Sequence, residues 1–271
     1  MNITANVSNL LNEVRNKVPL VHNMTNYVTV NDCANAVLAI GASPIMADDI
    51  NETADITSIS SSLVINIGTL NKRTIASMLI SGKKANELGI PVIFDPVGAG
   101  ASKLRNDTTK VILEQVKITI LRGNLSEISF IAGLEASTKG VDCSETDSNN
   151  DSVSIAKAVA VKLGCIVAIT GAVDVISDSK RIVTIQNGHK MLSKVTGTGC
   201  MTTALVGSFA GATKDYFTAA VGGVASMGIA GELAYEKVGQ IGTGSFHIAI
   251  IDALSRLDSK AIEARAKIDE A

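Results

Sequence analysis

The sequence predicts an α/β protein: a central, mostly parallel sheet with helices on both faces and a helical C-terminal part. Three observations carry this expectation. Short β-branched runs alternate with longer segments of helical period along most of the chain. The short runs are apolar throughout rather than at every second residue, as strands buried on both faces require. Glycine stands directly after the longer runs, where it takes the left-handed conformation that stops a helix.

Met1–Lys17 carries Glu13 and Arg15 inside a helix-like pattern, without the basic start and apolar run of a signal peptide. Candidate strands are Leu20–Asn23, Ser43–Met46, Leu63–Ile67, Val92–Asp95, Ile118–Leu121 and Ile166–Thr170. Between them lie helical stretches such as Val28–Ile40, closed by Gly41, and Lys72–Leu88, closed by Gly89. Such β and α alternation builds a parallel sheet covered on both sides. The polar stretch Glu135–Asp151 reads as an exposed loop or short helical excursion, with Cys143 exposed within it. Asp174–Ile176 and Ile182–Gln186 flank the polar run Ser177 to Arg181 and read as a hairpin at the sheet edge. From Gly199 onward the chain reads as nearly all helical, and its Gly and Ala content implies close helix packing. No repeat or linker interrupts it, so residues 1–271 read as one domain.

Composition narrows the function. Hydrophobic residues make up 46% of 271, with a mean hydropathy of +0.30, ample for a large core. No apolar run reaches the roughly 18 uncharged residues needed to span a bilayer. Net charge is −2 with Lys and Arg dispersed, which leaves no stripe for nucleic acid or lipid. Aromatics are 3% and Trp is absent, removing the usual means of stacking unpaired bases. The four cysteines show neither a CxxC pair nor metal-ligand spacing with the three histidines. They fit a reducing compartment. A soluble cytoplasmic protein, with neither nucleic acid nor membrane as partner, is the expectation.

In an open parallel sheet, ligands bind beyond the carboxyl ends of the strands. Asn23, Met46, Asp95, Arg122 and Thr170 fall at those ends, from distant parts of the chain. The most informative stretch is Val195-Thr196-Gly197-Thr198-Gly199-Cys200-Met201-Thr202-Thr203-Ala204. Two glycines lie one residue apart before a small-residue helix. Successive backbone N–H groups can there face one concavity, joined by the positive end of the helix dipole. Such a nest favours an anion and the charge that spreads during phosphoryl transfer. An ordinary tight turn into a packed helix is the competing reading. The stretch is neither a Walker A loop nor a dinucleotide fingerprint. Cys200 occupies the first helical turn, where the dipole lowers a thiol's pKa and a thiolate could accept a proton. A small side chain packed beside glycines is the alternative.

Gly197-Thr198-Gly199-Cys200 resembles the anion-hole motif of the ribokinase-like superfamily, in which two glycines precede a catalytic Asp; here Cys replaces the Asp. Together with Val21-His22-Asn23-Met24-Thr25-Asn26, Gly41-Ala42-Ser43-Pro44-Ile45-Met46 and Asp95-Pro96-Val97-Gly98-Ala99, the chain is similar to the hydroxyethylthiazole kinase family from residue 18 to residue 256. The resemblance implies a ribokinase-like layered fold and ATP-dependent phosphorylation of a thiazole alcohol for thiamine salvage. It places Asn26 and Met46 in the alcohol pocket, with Gly197 near the reacting hydroxyl. Arg122 and Thr170 would contact ATP; Asp95 and Glu127, with Asn124 beside them, would hold Mg²⁺ directly or through waters. Cys200 would be the base or a positioning group, with Gly197 and Gly199 forming the anion hole. A homotrimer with intersubunit active sites is also implied.

Each of these residues has a plainer reading too. Asn124 and Glu127 have the spacing of a capping box. Asp95-Pro96 could be a strand stop, Arg122 a surface ion-pair partner, Thr170-Gly171 the start of a turn, and Met46 a core residue. His22, Cys33, Cys165, His189 and His247 read as structural. Competing functions are another ribokinase-like kinase or dehydratase, such as a hydroxymethylpyrimidine kinase, and a non-catalytic nucleotide sensor. The first group would be expected to keep Asp at position 200.

Overall fold

The computed structural model describes residues 2–133 and 145–270. Its strands are β1 Leu20–Met24, β2 Ser43–Ile45, β3 Ser62–Asn66, β4 Val92–Asp95, β5 Ile120–Asn124, β6 Ile166–Thr170, β7 Asp174–Ser177, β8 Ile182–Ile185 and β9 Ile268–Glu270. The helices are α1 Ile3–Lys17, α2 Val30–Ile40, α3 Thr53–Ser58, α4 Lys72–Leu88, α5 Lys103–Gln115, α6 Leu125–Ala132, α7 Glu145–Leu163, α8 Thr198–Ala210, α9 Tyr216–Val238, α10 Thr243–Arg256 and α11 Ser259–Arg265. Residues 135–144 of the polar stretch, including Cys143, lie outside the described residues; α7 begins just beyond them.

Among the described residues one nine-stranded sheet runs in the order β2-β1-β3-β4-β5-β6-β7-β8-β9. The pairs from β2 to β6 are parallel, and those from β6 to β9 are antiparallel. Successive side chains of a strand point to opposite faces, so an apolar strand feeds two cores. Val64, Ile93 and Ile120 join one core with α1, α2 and α8 to α11. Leu63, Ile65, Phe94 and Leu121 join the other with α4 to α7. This is why β3 and β4 are buried at every position.

The strands from Val92 and Ile166 and the β7–β8 hairpin form where expected, as do the glycine stops at Gly41 and Gly89, but the hairpin is not the sheet edge, because β9 pairs with β8 outside it. Several boundaries differ; β1 runs on to Met24, for instance, and β3 spans Ser62–Asn66 rather than Leu63–Ile67. Helix α2 starts at Val30 rather than Val28, because the N–H and hydroxyl of Thr29 both donate to Asn26 Oδ1, at 3.2 and 3.1 Å, and hold a turn there. Strand β2 ends at Ile45, one residue before Met46. Strand β5 runs on to Asn124, because Arg122, Gly123 and Asn124 pair with Ala168, Ile169 and Thr170. The C-terminal part is not wholly helical, since β9 pairs with β8. Helix α9 is long and apolar enough to cross a membrane, yet 89% of its apolar window is buried inside the fold. Its glycines bring α8 close: a Cβ on Gly223 would lie 2.5 Å from the Val206 nitrogen.

Candidate active site

The carboxyl ends of β1, β3 and β4 deliver Asn26, Asn66 and Asp95 to the first turn of α8, where they form one hydrogen-bonded chain. Asn26 Nδ2 donates to Asn66 Oδ1 at 3.1 Å and to Cys200 Sγ at 3.2 Å. Asn66 Nδ2 donates to Asp95 Oδ2 at 2.9 Å and to Cys200 Sγ at 3.3 Å. Thr203, one turn along α8 from Cys200, donates to the same Asp95 oxygen at 2.7 Å. The N–H of Gly68 donates to Asn66 Oδ1 at 2.9 Å, which sets the amide so that its NH₂ faces the sulfur and the carboxylate. Asn66 and Thr203 were not singled out by sequence reasoning. Asn66 sits at a strand end, which was the available signal; Thr203 follows Cys200 by three residues and so returns to the same helix face.

Asp95 is 1% exposed and Glu127 8%. Both oxygens of Glu127 accept backbone N–H groups, from Gly98 at 2.8 Å and Asn124 at 2.9 Å, and Asn124 Oδ1 accepts the Glu127 N–H in return. The capping box is therefore real, and it turns the Glu127 carboxylate toward the loop after β4. Asp95 Oδ1 is buried without a hydrogen-bond partner among the described groups, whereas Oδ2 is fully engaged. A buried acceptor left open is costly unless something fills it. No cluster of three His, Cys, Asp or Glu side chains that could cage a metal occurs among the described residues. One open carboxylate oxygen beside a second carboxylate suits a hard cation that keeps waters and phosphate ligands, as Mg²⁺ does.

Arg122 lies inside β5 and is not a surface ion-pair partner: its side chain is 12% exposed, and Nη1 sits 3.6 Å from Asp95 Oδ2. Its Nη2 donates to the Thr170 hydroxyl on the neighbouring strand. Both residues line a cavity of about 680 Å³ together with Asn124, Gly199, His189 and Met227. Gly197 has φ +87°, and a Cβ there would stand 2.6 Å from Thr29 Cγ2; a Cβ on Gly199 would stand 2.9 Å from Arg122 Nη1. The two glycines thus let the head of α8 approach Asn26's turn on one side and Arg122 on the other. Met46 is half-buried and packs against the same core that Cys200 borders.

The thiol departs from expectation. Burial foremost, and then the Asp95 carboxylate, push Cys200 up, against the smaller opposing effect of hydrogen bonds from Thr29, Asn26 and Asn66. Cys200 is therefore a thiol at neutral pH, where the helix dipole alone suggested a thiolate. Cys33 and Cys165 are buried, each pushed up to about 12 chiefly by burial. His22 is buried between the Ala47 carbonyl, 2.7 Å from Nε2, and the Thr57 hydroxyl, 3.0 Å from Nδ1, and burial lowers its pKa. His189 stacks on Tyr235 with centroids 3.5 Å apart, and His247 Nε2 lies 2.9 Å from Asp32 Oδ1. Neither partner was legible in the sequence, because both lie on other helices.

Asp174 borders the cavity and is pushed up to about 7, mainly by burial, with the Gly171 N–H and Arg122 opposing. Its folded pKa exceeds the ordinary 3.8, so the native state holds an extra proton in that interval, and stability declines as pH rises from 3.8 through about 7. Asp174→Asn keeps an oxygen for the Gly171 N–H and loses this decline. Its melting temperature relative to wild type should rise between pH 5 and pH 8; a pH-independent difference would refute the buried-carboxylate account.

A parallel sheet whose strand ends meet a glycine-rich helix start, with a basic residue and a half-open carboxylate beside a cavity, defines a ribokinase-like small-molecule kinase architecture. The fold comparison agrees: a pyridoxal kinase from Staphylococcus aureus, solved with ADP, superposes with a TM-score of 0.60 at 14% identity over 80% of this chain and 89% of that one. Much nearer is a hydroxyethylthiazole kinase structure from Pyrococcus horikoshii OT3, with a TM-score of 0.89 at 39% identity over 98% of both chains. The model of the hydroxyethylthiazole kinase family matches residues 11–260. Hydroxyethylthiazole kinases from Ruminiclostridium cellulolyticum and Clostridium beijerinckii are 73% and 68% identical to it, over 98% and 99% of this chain and 98% of each relative. The chain belongs to the hydroxyethylthiazole kinase family.

Proposed function

We propose that this protein transfers the γ-phosphoryl group of ATP to the primary hydroxyl of 4-methyl-5-(2-hydroxyethyl)thiazole for thiamine salvage. The observation that carries this reading is the head of α8, where Gly197, Gly199 and Cys200 stand between the Asn26–Asn66 pair and the cavity bordered by Arg122. Asn26 and Met46 line the alcohol pocket, with Gly197 next to the hydroxyl. Arg122 and Thr170 hold the ATP phosphates; a guanidinium suits their fixed geometry. The N–H groups after Gly197 receive the charge that spreads over the transferred group. Asp95, whose Oδ1 is unpartnered, and Glu127 would hold Mg²⁺ directly or through waters, and the ion would supply neutralisation of phosphate charge.

Phosphoryl transfer passes through a loose transition state, so the hydroxyl needs little deprotonation before it. Cys200, a thiol receiving two amide N–H groups, therefore acts by positioning the hydroxyl in line with the phosphate. Cys200→Asp should retain kcat within about tenfold of wild type, since positioning survives the change. An inactive Cys200→Asp protein that folds and binds ADP normally would refute the assignment. The activity itself is tested by coupled ADP release with thiazole alcohol, hydroxymethylpyrimidine or no acceptor. Turnover with the thiazole alone supports the reading; turnover with the pyrimidine alone, or with no acceptor at all, overturns it.

Two core clusters share one sheet, which supports residues 1–271 working as a single kinase domain. Tyr27, Val28 and Ile50 are exposed at 80%, 56% and 46%, close in sequence to Asn26 and Met46. Covering them by a second copy supports a homotrimer with active sites between subunits, read by light scattering. The family's small-molecule chemistry and the burial of α9 support a soluble cytoplasmic location.

A further inference from the structure

We propose that Arg105 is a positioning residue for phosphoryl transfer: its guanidinium clamps the loop after β3 to the loop after β4 and so holds the Asn66–Asp95–Cys200 chain in register. Arg105 Nη1 donates to the carbonyls of Ile67, at 2.6 Å, and Val97, and Nη2 donates to that of Gly68 at 2.7 Å. These three carbonyls belong to the two segments that leave the site. Ile67 and Gly68 follow Asn66, and the Gly68 N–H is the group that orients the Asn66 amide. Val97 lies two residues past Asp95 and precedes Gly98, whose N–H holds Glu127. One side chain therefore grips the peptide units that aim the Asn66 amide and the Glu127 carboxylate, and through Asn66 reaches Asp95.

The electrostatics argue against a purely stabilising surface role. Among the described residues no carboxylate lies within ion-pair distance of Arg105. It also stands in the first turn of α5, where the helix dipole disfavours a cation. The half-buried guanidinium is compensated by the three carbonyls. The guanidinium meets its three acceptors from two nitrogens; a lysine ammonium offers one nitrogen on a shorter arm and keeps only part of that set. Gly98, at φ +73°, makes room for the arm, since a Cβ there would lie 2.9 Å from Arg105 Cδ. Arg105 touches none of the cavity-lining groups, so its effect runs through the loops.

The inference rests on the thiazole kinase reading, and wild-type protein that fails to phosphorylate the thiazole alcohol would sink that reading before any variant is made. Given wild-type turnover, Arg105→Lys and Arg105→Ala are measured for kcat, KM of each substrate, ADP affinity by calorimetry, and folded fraction. Both should lose about 10²-fold in kcat per folded molecule, the effect expected of a displaced reacting geometry, with a raised thiazole KM. ADP affinity should stay at the wild-type value. A small guanidinium ion added at millimolar concentration should restore part of the Arg105→Ala activity and leave wild type unchanged. If Arg105→Ala fails to fold, Arg105→Lys decides alone. Wild-type kcat per folded molecule, or a loss accounted for by weaker ADP binding, overturns the proposal.

Discussion

Gly197→Val abolishes turnover while the protein still folds. Position 197 has φ +87°, a conformation in which a β-branched residue is strained by about 1–3 kcal/mol. The new Cβ would also stand 2.6 Å from Thr29 Cγ2, closer than any side chain tolerates. Thr29 cannot move alone, because its N–H and hydroxyl both bond Asn26 Oδ1, and Asn26 in turn holds Cys200. Relief of the clash therefore rotates the head of α8 away from the proposed alcohol pocket or drags Asn26 with it. Losing aligned donors for the transferred group costs roughly 10²–10³ in kcat, and misplacing the acceptor as well multiplies that. Circular dichroism and melting should show a folded, modestly destabilised protein. A folded Gly197→Val enzyme with wild-type kcat would remove the anion-hole assignment. Gly199→Val should differ in kind: it meets the Arg122 guanidinium, so KM for ATP rises first.

Asp95→Asn should lower kcat by roughly 10²–10³, the scale of removing one charged group that acts on the transition state. The change is nearly isosteric. An amide oxygen can keep the bonds from Asn66 and Thr203, and the amide nitrogen then occupies the place of the partnerless Oδ1. What disappears is the anion that Arg122 faces and that would hold Mg²⁺. Burial pushes the Asp95 carboxyl up to about 6, with Arg122 opposing. Activity that needs the anion then declines as pH falls through about 6, a limb the Asn variant lacks. Stability moves the other way. The folded pKa lies above the ordinary 3.8, so native protein holds an extra proton between 3.8 and about 6 and loses stability as pH rises through that window. Asp95→Asn should accordingly melt higher than wild type at pH 8 by a larger margin than at pH 4. Wild-type kcat at saturating Mg²⁺ in the Asn variant would exclude Asp95 from the reaction.

Much of the site was legible because its signals are local. The two glycines at the start of α8 and the Asn124–Glu127 spacing are consequences of backbone geometry over a few residues. Asp95 and Thr170 end apolar runs that must be buried strands. Arg122 was legible by residue type but misplaced, since the extent of β5 depends on pairing with β6 and not on its own composition. Asn66 escaped notice for a related reason: an Asn after a strand is ordinary until Cys200, 134 residues away, is brought against it.

The amino-acid sequence by itself determined the alternation of buried strands and helices, the glycine stops, and the glycine turn at Gly197–Gly199. All of these follow from side-chain period and local backbone freedom. Only the tertiary structure decided that β9 closes the sheet edge, that Arg105 bridges two loops, and that Cys200 is a protonated thiol. The helix start lowers a thiol's pKa through nearby dipoles, but burial beside the Asp95 carboxylate raises it by more. Desolvation and the charge of a residue 105 positions away are properties of packing, and no local pattern carries them.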